Sequence, residues 1–244
     1  MLQNKNILIT GCSRGLGLEI VNELLLQGAN VYGVSRTLSP EFNLLLEQYS
    51  GRVFFNKFDL LATKDVGGEI FKKWLNNKIV IHGFVNNAAV AYDDIITNMD
   101  VDSLESMFKI NVFSPLIAVK AVLRNMLFNR TKGSIVHISS ISVHTGYKGL
   151  SMYAGSKGAL EAFSKNTARE WGEKQIRSNC LVAGFMETEM SGSLSDELKD
   201  RIFKRTSLKV PTTLNSVAKT VCFLLSDAAE SITGQNIHVD SGTI

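Results

Sequence analysis

The octapeptide T-G-C-S-R-G-L-G fills residues 10–17, immediately behind the β-branched stretch N-I-L-I-T and ahead of an apolar stripe at helical spacing, Leu16, Ile20, Val21, Leu24 and Leu25. A chain that leaves a strand, turns on glycines and enters a helix exposes helical N–H groups that lack intrahelical partners, at the positive end of the helix dipole. Gly11 and Gly15 let the backbone close on a diphosphate at that end, and Gly17 lets the helix pack near the sheet. The opening of the chain therefore reads as the first strand and helix of a dinucleotide-binding sheet, and the remaining sequence has to supply its repeats.

Those repeats are present. β-branched or aromatic runs recur at 30–34, 52–56, 82–86, 134–139, 177–182 and 236–239, separated by helical periods such as Leu160, Phe163, Thr167, Ala168 and Trp171. Strands alternating with helices predict a doubly wound α/β fold, a parallel sheet with helices on both faces. The 244 residues contain three prolines and no Gly/Ser linker, which predicts one domain over 1–244. Residues 188–206, polar and less regular, read as a mobile insertion on the substrate side.

Charge narrows the partners. Twenty-six Lys and Arg against 23 acids leave +3, too little to imply nucleic acid or a membrane surface, so an anion site has to be local. Cys12, Cys180 and Cys222 lack metal or redox spacing, so no metal site is expected and a reducing, cytoplasmic setting is. The polar N-terminus does not resemble a signal peptide, and no uninterrupted apolar run approaches a membrane span.

The end of the second strand selects the dinucleotide. An acidic residue there would bind an unphosphorylated ribose, but the sequence places Ser35, Arg36 and Thr37. Arg36 and Arg14 offer planar cationic donors suited to a 2′-phosphate, which predicts NADP(H). Asp59, closing the third strand, is positioned to accept from the adenine amino group.

The chemistry is expected at the carboxyl edge of the sheet. Ser140 stands just past the strand at 134–139, where its hydroxyl can donate to a substrate carbonyl. Tyr153 and Lys157 are four residues apart on one helix face, and a nearby ammonium would draw the phenol below its usual pKa of about 10, making it a general acid. Asn111 lies on the buried face marked by Leu104, Met107 and Phe108, and Pro115 lacks the N–H that would bond the Asn111 carbonyl. That freed carbonyl is expected to hold a water leading towards Lys157.

Together these residues resemble the short-chain dehydrogenase/reductase family over essentially the whole chain. Its glycine motif falls on residues 10–17, its catalytic Asn, Ser, Tyr and Lys on Asn111, Ser140, Tyr153 and Lys157, and its NNAG stretch on Asn86 to Ala89. The resemblance implies a Rossmann-like sheet of seven parallel strands and hydride transfer between a nicotinamide and a carbonyl or alcohol carbon. It also implies cofactor contacts from Gly11, Ser13, Arg14, Gly15, Leu16, Gly17, Arg36, Asp59, Leu60, Asn87, Ala88, Tyr153, Lys157, Gly184 and Thr188.

Within the family the chain is most similar to bacterial 3-oxoacyl-acyl-carrier-protein reductases, through residues 10–17, 184–190 and 231–242. That implies a ketone on acyl carrier protein as substrate, with Lys174 at one basic docking position and Thr131, between Arg130 and Lys132, at the other. A homotetramer built on the helices around 102–128 and 151–174 is implied as well. Ala89 replaces the NNAG glycine, and Ala183 replaces the usual proline before Gly184, which should loosen a turn beside the nicotinamide. A sugar, polyol or secondary alcohol is an alternative substrate, because the pocket walls at 141–150, with His144 and Tyr147, and 188–206 do not name their contents. A nucleotide-binding interaction protein without turnover is the alternative of another class, and the intact tetrad argues against it. Steady-state rates are expected to favour NADPH over NADH; a tenfold preference for NADH, about 1.4 kcal/mol, would overturn the reading of Arg14 and Arg36.

Overall fold

In the computed structural model, which describes residues 1–76, 78–187 and 196–243, the β-branched runs form seven strands. They are β1 (Asn6–Thr10), β2 (Asn30–Ser35), β3 (Val53–Lys57), β4 (Gly83–Asn86), β5 (Gly133–Ser140), β6 (Ile176–Ala183) and β7 (Asn236–Val239). All neighbours pair in parallel, in the order β3-β2-β1-β4-β5-β6-β7. The chain winds outward from β1 through β2 to β3 and then returns to lay β4 on the other side of β1. A parallel sheet that reverses its winding opens a crevice at the carboxyl ends of the two strands flanking the reversal, here β1 and β4.

The helices are α1 (Gly15–Leu26), α2 (Pro40–Gln48), α3 (Val101–Phe108), α4 (Ser114–Phe128), α5 (Ser142–Thr145), α6 (Ser151–Trp171), α7 (Asp196–Phe203) and α8 (Leu214–Leu225). They bury the sheet from both sides. On one face the α1 stripe Ile20, Val21 and Leu24 meets Val217, Val221 and Leu224 of α8 over Ile7, Ile9 and Val31. On the other, Val119, Val122 and Met126 of α4 cover Leu8, Phe84 and Ile135, with Ile70 and Phe71 from a π-helical segment at Gly67–Trp74.

Strand limits match the sequence reading within a residue, and the extra residue at the end of β5 is Ser140. Pro115 interrupts the long helix as its missing N–H requires, and the interruption takes the form of a π turn, Lys109–Phe113, closed by the Ser114 N–H on the Lys109 carbonyl. The continuous run Val101–Phe128 is long and apolar enough to cross a membrane by length and composition, but 56% of its most apolar stretch is buried inside the protein, the position of a core helix. Residues 188–195 of the expected insertion lie outside the described residues, while 196–203 form α7, where Phe203 packs on Phe185 with ring centres 5.8 Å apart. Cutting Leu24, fully buried on the α1 stripe, to alanine is expected to lower unfolding free energy in urea by about 2–5 kcal/mol.

Candidate active site

α1 starts at Gly15 behind an extended Arg14, with no side-chain cap and no acidic residue in its first turn, so its N–H groups and dipole are directed at the crevice. The motif glycines divide by what crowds them. A Cβ on Gly11, at φ +69°, would lie 2.7 Å from Ala88 Cα, and one on Gly17 would collide with the Gly11 carbonyl oxygen. Gly15, at φ +53°, faces nothing within 4 Å, and this open side is where a diphosphate can approach. Gly11 and Gly17 are therefore demanded by the protein's own backbone, and the turn keeps its shape through self-packing.

Asn87 braces that turn. Its Nδ2 donates to the Thr10 and Gly11 carbonyls at 3.2 and 2.9 Å, and Thr10 Oγ1 accepts from the Asn87 and Ala88 N–H groups, each at 3.3 Å. Ser13 and Leu16 are buried in the turn, and the Ser13 carbonyl accepts from Ser39 Oγ at 2.6 Å, joining it to the start of α2. Arg14 and Arg36 are both exposed, at the rims of neighbouring strands. Asp59 already accepts from the Leu61 N–H at 2.9 Å through Oδ1, and the buried Leu60 gives its carbonyl to Ser114 Oγ.

The four candidate catalytic residues lie on β5, α6 and the π turn, elements that pack on one another through α6. Lys157, only 2% exposed, donates from Nζ to the Ile138 carbonyl at 2.8 Å and lies 5.7 Å from the centre of the Tyr153 ring. Ser140 closes β5, two residues beyond that carbonyl, and its Oγ accepts from the Ser142 N–H at 3.2 Å and the Ser142 hydroxyl at 3.0 Å. Asn111, fully buried in the π turn, accepts from the Val90 N–H at 2.9 Å through Oδ1. Its Nδ2 donates to the Val90 carbonyl at 2.8 Å and to Ser156 Oγ at 3.1 Å. Ser156 donates onward to the Tyr153 carbonyl at 2.7 Å, so one amide ties the loop after β4 to the turn of α6 that joins Tyr153 to Lys157.

The electrostatics correct the sequence reading. Burial pushes the Tyr153 phenol up to about 12, with the Asp93 carboxylate adding to the rise, and burial brings the Lys157 amine down to about 8. Lys157 spends its directed hydrogen bond on a carbonyl and lies against the ring, and loss of water outweighs its attraction for a phenolate. His137 is driven down to about 3 by burial and by the Lys157 charge, so it stays neutral; its ring abuts Phe163.

Other expectations also change. Ala183 does not sit in a loose turn: it is buried at the end of β6, in register with both Ser140 and Val239. Gly184 follows with its N–H on the Val239 carbonyl at 2.8 Å, and a Cβ there would collide with Thr212 Oγ1. His144 turns towards Glu161 at 3.1 Å rather than into open space. Tyr147 lines a shallow cleft of about 400 Å³ with Ile95, Ile96 and Lys148. Lys174, Arg130 and Lys132 are exposed, and Thr188 lies outside the described residues. Asn87 and Ser156 as braces could have been suspected only from their places beside motif residues.

The chain matches, over residues 11–243, the family model described as Enoyl-(Acyl carrier protein) reductase. It is 34% identical to the 3-oxoacyl-[acyl-carrier-protein] reductase FabG of Chlamydia trachomatis serovar D, across 99% of this chain and 98% of that protein. It is 32% identical to the L-xylulose reductase of Caenorhabditis elegans, across 98% and 95%. Among solved structures, ElxO with NADP bound superposes with a TM-score of 0.87 at 27% identity, across 99% of both chains. In Gly17→Ala the new methyl would also press on Asn87 Nδ2 at 2.7 Å, deforming the turn. NADPH affinity, read by fluorescence titration, is expected to fall at least tenfold; affinity within twofold of the parent would deny the turn a role in binding.

Proposed function

Because the chain belongs to the short-chain dehydrogenase/reductase family, oxidoreductases acting on CH–OH and C=O groups, we propose that it uses NADPH to reduce a ketone to a secondary alcohol. The preferred substrate is a 3-oxoacyl thioester carried on acyl carrier protein. The observation that carries the reading is the buried Lys157 beside Tyr153, joined through Ser156 and Asn111 to the loop at Val90. The residues present fit the cofactor: the uncapped start of α1 and the open side of Gly15 suit a diphosphate, and Arg14 and Arg36 suit a 2′-phosphate.

When bound, NADPH supplies the hydride. Ser140, whose oxygen already accepts two hydrogen bonds from Ser142, keeps its own proton to donate to the substrate carbonyl. Tyr153, held up to about 12, is a neutral phenol across the physiological range and delivers the proton that completes the alcohol. Lys157 steadies the negative charge left on the phenolate and holds the nicotinamide ribose. Asn111 keeps α6 in register with the loop after β4, and its carbonyl holds the water through which the proton is restored.

The 34% identity to FabG supports the carrier-bound substrate, with Lys174, Arg130 and Lys132 as the cationic dock. Similarity to L-xylulose reductase favours a sugar as the second reading, and the cleft at Tyr147 would face it. ElxO with NADP bound supports the cofactor. Phe113 and Phe128, 51% and 84% exposed on α4 and the turn before it, support pairing of the long helices in a homotetramer. A cytoplasmic location fits a soluble carrier as partner.

Turnover of an acetoacetyl thioester, L-xylulose and simple ketones tests the assignment. Tyr153→Phe is expected to lower kcat about 100-fold or more while NADPH affinity stays within twofold; an active Phe variant would remove Tyr153 from the chemistry. The pH dependence has a definite sign. Reduction needs the phenol, which keeps its proton to about 12, so reductive kcat/KM is expected to hold through neutral pH and fall as Lys157 discharges above about 8. Alcohol oxidation needs the phenolate and is expected to climb with pH; an oxidation rate that falls with rising pH would contradict the assignment.

A further inference from the structure

We propose that Glu161 is a positioning residue for the Ser140 hydroxyl, acting through Ser139 and through His144 of α5; this rests on the reading of Ser140 as the group that orients the carbonyl. Glu161 lies eight residues beyond Tyr153 on α6, and its side chain is 9% exposed. A carboxylate in that setting is costly unless hydrogen-bonded. It accepts from three elements at once: Ser139 Oγ of β5, Asn236 Nδ2 of β7 at 2.6 Å, and His144 Nε2 of α5 at 3.1 Å.

Both lines from this carboxylate lead to Ser140. Ser139 and Ser140 are consecutive at the end of β5, so a grip on the Ser139 side chain also fixes the backbone from which the Ser140 hydroxyl projects. α5 has only four residues and ends on Gly146 at φ +67°, too short to hold itself by helical bonding. His144 anchors it to Glu161, and α5 carries Ser142, whose N–H and hydroxyl both point at Ser140 Oγ. With two donors fixed on that oxygen, the Ser140 proton has one direction left. The His144 ring also packs on His238 of β7, centres 4.9 Å apart, which extends the anchor to the last strand.

Glu161→Gln tests this, since an amide oxygen with an NH₂ beside it cannot accept all three donors. Three measurements are expected to move together. Amide exchange across Ser142–Thr145 accelerates at least tenfold. The kcat for ketone reduction falls at least tenfold, with ketone KM and NADPH Kd within threefold. In a Ser140→Ala background the same substitution changes kcat less than twofold, because a hydroxyl that is absent cannot be misplaced. His144→Phe, which keeps a ring against His238 and removes only one donor, should shift exchange and kcat in the same direction by at least threefold. Unchanged exchange, an unchanged kcat, a matching loss of NADPH affinity, or equal losses in both backgrounds would each overturn the proposal. Faster exchange in a protein whose parent reduces no ketone would instead overturn the reductase reading and leave the Glu161 anchor standing.

Discussion

An ammonium taken out of water costs on the order of several kcal/mol unless the protein returns its hydration, and the fold returns little of it to Lys157. Among the described residues its directed partner is the Ile138 carbonyl, not a carboxylate, and the face of Tyr153 lies 5.7 Å away. Burial lowers the amine's pKa, burial of His137 together with the Lys157 charge keeps that ring neutral, and burial of the phenol itself, with the Asp93 carboxylate, makes Tyr153 hold its proton. The tie from Lys157 to β5 also sets the distance between α6 and the end of the strand where Ser140 sits. A buried cation without a countercharge does little for stability, and such groups cluster where chemistry is done.

The layout of the sheet was legible because it depends on periodicity and turn chemistry. N-I-L-I-T and N-I-H-V became β1 and β7 without adjustment, and the α1 stripe from Leu16 to Leu25 is buried throughout. The break at Pro115 was legible too, since a missing N–H is a local fact. Its form as a π turn was not, because that depends on how Asn111 is received by Val90 and Ser156 from distant parts of the chain.

Electrostatics was the weakest part of the sequence reading, and the reason is general. Spacing of four on a helix brings Tyr153 and Lys157 to one face, but desolvation sets the sign of their shifts, and burial is a property of the packed fold. Glu161 escaped for a related reason. On the α6 pattern it reads as an ordinary charged position, and nothing local announces that Ser139, His144 and Asn236 converge on it from three elements. At Ala183 the structure differs from the sequence expectation because loss of a proline brings slack only where the chain is a turn, and here it is a paired strand end.

The glycine motif separates two roles that a sequence pattern merges. Gly11 and Gly17 are crowded by Ala88 and by the turn itself, and Asn87 and Thr10 lock that turn to the chain leaving β4. Gly15 alone looks onto open space. The crevice at the β1/β4 reversal is therefore shaped by contacts within the protein, and a diphosphate meets N–H groups already fixed in direction. Ordering a loop on binding subtracts from affinity, so a turn preset in this way leaves more of the electrostatic attraction for the ligand. Lys157 and Asn111 are likewise fixed by backbone carbonyls and amides. Both regions are thus preorganised by backbone partners, and in the proposed reaction the side chains left to meet a substrate are the few, Ser140 and Tyr153 first, whose protons remain to be given.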